Sequence, residues 1–159
     1  MTNQTSEWLL KVFKELKKHG KVEPIADFGG GRTRKRIRKI LKEVGISNHI
    51  VYDIKGGDIC LDLTKEVVKE KYQTIICTDT LEHVRNPFSV AKNICIGLLE
   101  GGIGLISAPF YWKKHGDDYF RFSKEGLLAL FDGCNVEKVE SFEREDKGFT
   151  RSYLIIKKL

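Results

Sequence analysis

The chain of 159 residues lacks most of the features that mark secreted, membrane-spanning or metal-binding proteins. Its four cysteines are widely spaced among isoleucines and leucines, which predicts small buried residues rather than a disulfide framework or a zinc site. The four histidines do not fall at a metal-binding spacing. No apolar run reaches membrane-spanning length, and the polar amino terminus lacks the basic start and apolar run of a signal peptide. We therefore expect a cytoplasmic protein with no metal ion and no membrane association.

Internal repeats and low-complexity linkers are also missing from the sequence. A chain of 159 residues leaves little room for a second domain, and a composition of 41% hydrophobic and 31% charged residues is that of a soluble globular protein. We expect residues 1–159 to form one domain, with an amino-terminal helix within residues 1–20.

What the sequence does contain is a regular alternation of helical and strand patterns. Helices are predicted from Thr5 or Ser6 as N-cap to Gly20, and at residues 33–45, 64–70, 87–100 and 123–131. Strands are predicted at residues 24–28, 49–52, 58–61, 72–77, 103–108, 136–142 and 153–156. The alternation predicts an α/β fold, with a mostly parallel sheet and helices on both of its faces.

The most informative stretch is residues 25–33, which read Ile-Ala-Asp-Phe-Gly-Gly-Gly-Arg-Thr. It places a glycine turn between a strand and a helix, and Asp53 follows at the end of the next apolar run. Glycines let the backbone approach a ligand closely, and a carboxylate in that position can accept hydrogen bonds from both ribose hydroxyls. This arrangement is typical of the nucleotide-binding half of a Rossmann-like sheet.

Two classes of nucleotide cofactor use this geometry, and the spacing separates them in part. A dinucleotide fingerprint that begins at Gly29 and Gly31 requires a glycine at position 34, where the chain has Arg34. The methyltransferase pattern D-x-G-x-G-x-G fits Asp27, Gly29 and Gly31 and departs only at Thr33. Asp27 would attract the ammonium group of S-adenosylmethionine and would repel an anionic pyrophosphate. The alternative is a tight turn that binds nothing.

Further motifs make the resemblance to a family specific. Residues 77–84 read Cys-Thr-Asp-Thr-Leu-Glu-His-Val, residues 86–87 Asn-Pro, residues 98–102 Leu-Leu-Glu-Gly-Gly, and residues 107–110 Ser-Ala-Pro-Phe. Residues 115–123 read His-Gly-Asp-Asp-Tyr-Phe-Arg-Phe-Ser and resemble the H-D-Y-x-R-F-T element of one branch of that family. From about residue 22 to 156 the chain resembles the class I S-adenosylmethionine-dependent methyltransferases. The resemblance implies a Rossmann-like fold with seven strands, the last of them antiparallel, and methyl transfer from S-adenosylmethionine.

The resemblance also implies roles for individual residues in the crevice at the carboxyl ends of the strands. The residues that would hold the cofactor are Asp27, Gly29 and Gly31 at its methionine part, Asp53 at the ribose, Asp62 and Leu63 at the adenine, and Thr78 and Asp79 after strand four. The residues that would serve the acceptor, including a general base for its proton, are His115, Asp117, Asp118 and Tyr119, with His83 as a second candidate. The alternatives are that Asp118, Tyr119 and Arg121 anchor a loop and that His83 binds a backbone carbonyl.

The positive charge of the chain supports a rival interpretation. The net charge is +6, and basic residues crowd one helix over residues 32–42. They would either bind the phosphates of a nucleic acid, with nearby aromatic residues stacking on its bases, or form a solvated outer face. Two functions therefore stay open. One is methyl transfer to a small-molecule or glycan-related acceptor, and the other is a nucleic-acid-associated methyltransferase or a non-catalytic nucleic-acid-binding module.

Overall fold

A computed structural model of the protein describes residues 1–114 and 116–159. The helices are α1 (Asn3–His19), α2 (Arg34–Glu43), α3 (Pro87–Gly97) and α4 (Lys124–Ala129). The strands are β1 (Ile25–Phe28), β2 (Ile50–Asp53), β3 (Ile59–Cys60), β4 (Tyr72–Thr78), β5 (Leu98–Tyr111), β6 (Val136–Asp146) and β7 (Phe149–Lys158). A short 3-10 helix, Leu81–His83, follows β4.

These strands form one seven-stranded sheet in the order β3-β2-β1-β4-β5-β7-β6. Strands β1 to β5 pair in parallel, whereas β7 is antiparallel to both β5 and β6. The predicted fold, a mostly parallel seven-stranded sheet with an antiparallel last strand, is therefore confirmed. The chain proceeds outward from β1 to β3 and then returns to the other side of β1 with β4. Ligands of open α/β sheets bind at such a switch point, outside the carboxyl ends of the strands.

Helices cover both faces of the sheet, and a hydrophobic core lies on each face. Leu9 and Phe13 of α1 pack with Ile76 of β4 on one side. Val90 of α3 packs with the neighbouring Ile75 on the other side. Successive strand residues point to opposite faces, so a strand that is buried on both sides is apolar without interruption.

Helices α1 and α2 lie side by side and run in the same direction. At their amino ends Arg36 Nη1 donates to the carbonyl oxygen of Met1 at 2.6 Å. At their carboxyl ends Lys17 Nζ donates to the carbonyl oxygen of Val44 at 2.7 Å. The amino ends of both helices therefore lie at the same edge of the sheet. This is the edge at which the candidate crevice opens.

Three local predictions about helices were wrong. The described chain has no helix at residues 64–70, because Asn93 Oδ1 accepts from Val68 N at 3.0 Å and Asn93 Nδ2 donates to the carbonyl oxygen of Glu66 at 2.6 Å, so these backbone groups do not bond within a helix. The N-cap of α1 is Thr2, whose hydroxyl accepts from Thr5 N, rather than Thr5 or Ser6. Helix α3 ends at Gly97 rather than at residue 100, because Leu98 already pairs with Tyr72 in the sheet.

The cysteines follow the prediction with one exception. Cys77 and Cys95 are buried and Cys134 is half-buried, and all four thiols are free. Cys60 is exposed, because β3 is a two-residue strand at the edge of the sheet with both residues open to solvent. Among the described residues, no helix combines the length and apolar character that crossing a membrane requires.

Candidate functional site

The turn between β1 and α2 has no room for side chains at its three glycines. A Cβ atom at Gly29 would lie 2.2 Å from Thr80 Cγ2, and the backbone there has a φ of +82°. A Cβ atom at Gly31 would lie 2.5 Å from the carbonyl oxygen of Lys55. The backbone of the turn therefore lies directly against the residues that follow β2 and β4. Only glycine fits there.

Asp27 lies beneath this turn at the end of β1. Its side chain is buried, and neither carboxylate oxygen has a hydrogen-bond partner among the described residues. Burial and, secondly, the nearby Asp53 carboxylate raise the pKa of Asp27 to about 7. A buried carboxylate without a partner is costly unless it is protonated or meets a cation. The Asp27 carboxylate therefore favours the binding of a positively charged group beside it.

Asp53, at the end of β2, is fixed in orientation by the same turn. Its Oδ2 accepts a hydrogen bond from Gly31 N at 2.9 Å, and its Oδ1 accepts one from Lys55 N at 3.0 Å. Each carboxylate oxygen has a second acceptor site, so the group can still accept from two ligand hydroxyls. Asp27, Gly31 and Asp53 are therefore brought together.

The loop with Asp62 and Leu63 follows β3 and is held from two sides. Hydrogen bonds from the Thr64 hydroxyl first, and then the Lys65 ammonium, lower the pKa of Asp62 to about 2. Asn93 of α3 donates to the carbonyl oxygen of Leu63 at 2.9 Å and accepts from Val68 N at 3.0 Å. Asn93 was not predicted, although a buried asparagine on the apolar face of a helix is a signal of such an anchor.

The end of β4 carries Thr78, which is buried, and Asp79, whose φ of +55° is uncommon for a residue other than glycine. The Asp79 carboxylate forms an ion pair with Arg151 of β7 and lies 2.8 Å from the amino-terminal nitrogen of Met1. One of the two cations that contact the Asp79 carboxylate is thus an ammonium group, that of Met1. Arg151 was not predicted, because the pair spans 72 positions of the sequence.

The arrangement of strands and crevice is that of a known class of enzyme folds. An S-adenosylmethionine-dependent methyltransferase from Clostridium acetobutylicum superposes with a TM-score of 0.71 at 11% identity, over 99% of this chain and 92% of the other. The chain has the fold of the S-adenosylmethionine-dependent methyltransferases. A Burkholderia thailandensis 1,6-didemethyltoxoflavin-N1-methyltransferase, solved with its acceptor and S-adenosylhomocysteine, gives a TM-score of 0.74 at 14% identity, over 97% and 78% of the two chains.

The methyltransferase fold also occurs in a protein that is named for a different reaction. The cyclase SpnF superposes with a TM-score of 0.68 at 12% identity, over 96% of this chain and 80% of the other. No protein-family model and no curated protein sequence matches the chain. The function must therefore be argued from the side chains of the site rather than from the fold.

The loop after β5 carries Asp117, Asp118 and Tyr119, which are predicted to serve the acceptor, and it contacts the 3-10 helix after β4. Phe122 N donates to the carbonyl oxygen of Pro109 at 3.1 Å and closes the loop at its base. The Asp118 carboxylate is fully buried and forms an ion pair with Arg121, as the anchor alternative predicts. Tyr119 N donates to the carbonyl oxygen of Glu82 at 2.7 Å, while its ring is exposed. His115, another of the acceptor candidates, lies outside the described residues.

His83 is in the 3-10 helix after β4 and faces the same loop. Its Nδ1 bonds the carbonyl oxygen of Asp117, and its Nε2 lies 3.8 Å from Glu82 Oε1. His83, Asp118 and Tyr119 thus meet at one place, whereas Asp62 and Leu63 lie on the opposite side of β1, beyond β2. Glu82 was not singled out as a candidate, although its neighbour His83 was.

Proposed function

We propose that this protein is a methyltransferase that binds S-adenosylmethionine in the crevice at the carboxyl ends of β1, β2 and β4. The observation that carries the proposal is the buried Asp27 carboxylate, without a partner among the described residues, beside a turn that admits only glycine. An anionic pyrophosphate would be repelled there, whereas a cation with an ammonium group would compensate the charge. The buried Asp27 carboxylate therefore favours S-adenosylmethionine over a dinucleotide.

The residues around the crevice would each hold one part of the cofactor. Asp53 would accept hydrogen bonds from the ribose hydroxyls, and Gly29 and Gly31 would let the methionine part approach the backbone. Asp27 and Asp79 would compensate the ammonium group. Asp62 and the backbone of Leu63 would meet the adenine amino group, and Thr78 would line the wall formed by β4.

The bound cofactor supplies a methyl group that its positively charged sulfur has already activated. The chain itself must hold an acceptor oxygen or nitrogen in line with that methyl group and exclude competing water. It must also take up the proton that the acceptor loses. His83 and the loop residues His115, Asp118 and Tyr119 are the groups that we propose for the acceptor side.

We propose a small molecule with an apolar or aromatic part as the acceptor. The end of β5 and the loop that follows it expose four aromatic side chains, which are Phe110, Tyr111, Tyr119 and Phe120. Trp112 packs on Phe149 with ring centroids 4.4 Å apart. The Arg151 guanidinium carbon lies over the Trp112 ring, 4.9 Å from the ring centroid. Aromatic walls with a few polar groups are what a small-molecule site requires.

Calorimetric titration with S-adenosylhomocysteine tests the cofactor proposal. We expect one site per chain and, for Asp53→Ala, a loss of about 1 to 3 kcal/mol of binding free energy, because a charged acceptor of two hydrogen bonds is removed. Asp132→Ala changes an exposed carboxylate after α4 and should leave the affinity unchanged. Binding of NAD in place of S-adenosylhomocysteine would overturn the proposal.

A nucleic-acid acceptor is the second candidate, favoured by the basic surface of α1 and α2. The exposed lysines on these parallel helices are Lys11, Lys14, Lys17, Lys18, Lys35, Lys39 and Lys42. Arg34 and Arg38, by contrast, both bond to Asp58 and so have a structural role. Nucleic-acid binding would weaken steeply with salt and would be lost in Lys35→Glu with Lys39→Glu, but not in Lys138→Glu on β6. A small-molecule enzyme would show unchanged methyl transfer in all of these variants.

A further inference from the structure

A second buried carboxylate, Glu82, has no part in the proposed cofactor site. It lies in the 3-10 helix after β4, and its side chain is 0% exposed. Neither of its carboxylate oxygens has a hydrogen-bond partner among the described residues. Carboxylates that serve only the fold are normally paired, because an isolated buried charge destabilises the native state.

The charged groups around Glu82 come from four parts of the chain. They are His83 in its own helix, Asp79 and the Cys77 thiol at the end of β4, Arg151 on β7, and Asp118 and Arg121 in the loop after β5. The two arginines are already in ion pairs, Arg151 with Asp79 and Arg121 with Asp118. Glu82 is therefore the carboxylate that this cluster leaves without a guanidinium partner. Burial and, secondly, the Asp79 carboxylate raise the pKa of Glu82 to about 8.

The group that is positioned to use this carboxylate is the imidazole of His83. Its Nδ1 contacts the carbonyl oxygen of Asp117, and a carbonyl oxygen only accepts hydrogen bonds. In the neutral ring the hydrogen must therefore be on Nδ1, which leaves Nε2 as the basic nitrogen. That nitrogen lies 3.8 Å from Glu82 Oε1, within ion-pair distance. A proton that arrives at Nε2 is stabilised by the carboxylate behind it.

We propose, on the basis of the proposed function, that Glu82 is a positioning residue for the proton transfer of the methyltransferase reaction. A lone pair on the acceptor oxygen or nitrogen forms the new bond to the methyl carbon, and the bond from that carbon to sulfur breaks with its electron pair going to sulfur. The proton of the acceptor moves to Nε2 of His83. The ionised Glu82 carboxylate stabilises the imidazolium so formed, and Asp117 keeps the ring in the required tautomer.

If Glu82 has this role, its ionisation should change the NMR signals of the His83 imidazole. In the wild-type protein, the long-range ¹H–¹⁵N correlations of the His83 imidazole should show an inflection near pH 8 as Glu82 titrates. Glu82→Gln has the same size but no charge, and this inflection should disappear. Glu82→Asp should retain an inflection. Glu100→Gln, an exposed site in β5, is the matched control and should behave as the wild type.

Calorimetric titration of the same proteins with S-adenosylhomocysteine separates this proposal from the proposed function. We expect Glu82→Gln to bind the probe within about twofold of the wild type, because the carboxylate acts on the acceptor side. If the wild type binds no S-adenosylhomocysteine, the proposed function and this role both fail. If the probe binds but the His83 signals lack the inflection near pH 8, or keep it in Glu82→Gln, only the role of Glu82 is overturned.

Discussion

The carboxylate of Asp27 occupies the space that a side chain at residue 30 would need. A Cβ atom built on Gly30 would lie 1.9 Å from Asp27 Oδ2 and 2.2 Å from its Cγ. The middle glycine of the turn is therefore required by the buried carboxylate three residues before it. The backbone at Gly30 does not have a positive φ, so the requirement is one of space. The effects of substituting Asp27 and Gly30 on stability should consequently depend on each other.

We expect Gly30→Ala to destabilise the protein by about 1 to 3 kcal/mol, because overpacking at a buried position forces its neighbours to move. Thermal or urea unfolding measures this loss. The cost should be smaller in a background of Asp27→Ala, since the colliding oxygen atoms are then gone. Gly20→Ala is the control, because a Cβ atom there meets nothing within 4 Å. Equal costs in the two backgrounds would show that Asp27 is not the obstacle.

The raised pKa of Asp27 predicts how stability changes with pH. The unfolded chain ionises this carboxyl near pH 4, whereas the folded protein ionises it at about pH 7. Its stabilising contribution is fully present below pH 4 and is lost as the pH rises through 7, by about 1.4 kcal/mol for each unit between the two pKa values. Relative to wild type, Asp27→Asn should therefore gain stability as the pH rises from 4 to 7. Unfolding by urea at several pH values measures this difference.

Asp62 provides a control, because its pKa is shifted in the opposite direction to that of Asp27. Its pKa is lowered to about 2 by Thr64 and Lys65, so its contribution is present above pH 4 and is lost as the pH falls towards 2. Asp62→Asn should therefore change relative stability only in the acid range. If Asp27→Asn showed the same acid-range profile, the Asp27 carboxyl would not be held in its protonated form by burial.

Local patterns were sufficient to predict the glycine turn after β1 and the position of Asp53 at the end of β2. The Asp53 carboxylate binds Gly31 N across only 22 positions of the chain, so apolar periodicity and glycine spacing indicate this contact. The alternation of helix and strand likewise predicts the mostly parallel sheet. The prediction failed at residues 64–70, where the side chain of the distant Asn93 binds the backbone N–H of Val68 and the carbonyl oxygen of Glu66 in place of helical partners.

Other contacts of the crevice depend on partners that are far apart in the sequence. Asp79 meets Arg151 and Asn93 meets Leu63 only after the sheet has formed, and no local spacing indicates either pair. Glu82 was missed for a related reason. Its importance comes from the absence of a partner among the described residues, and burial without a partner is not visible in a sequence.

The ion pair of Asp118 and Arg121 allows the two roles of Asp118 to be separated. Arg121 also donates to the carbonyl oxygen of Trp112, so the pair ties the two ends of the exposed aromatic loop together. If the pair positions this loop, then Asp118→Asn and Arg121→Gln should lower methyl transfer to a similar extent. We expect a loss of at least about tenfold in each variant, equivalent to about 1.4 kcal/mol in the barrier. The affinity for S-adenosylhomocysteine should stay near that of the wild type, because both residues lie on the acceptor side.

The measurement is transfer of a labelled methyl group to an acceptor identified by screening, together with calorimetry and thermal unfolding of each variant. Asp132→Asn, at an exposed position after α4, should match the wild type in all three. If Asp118 instead removes the acceptor's proton itself, Asp118→Asn should be far slower than Arg121→Gln, since an arginine that only holds the loop contributes no base. Unchanged methyl transfer in both variants would exclude this loop from the acceptor site altogether.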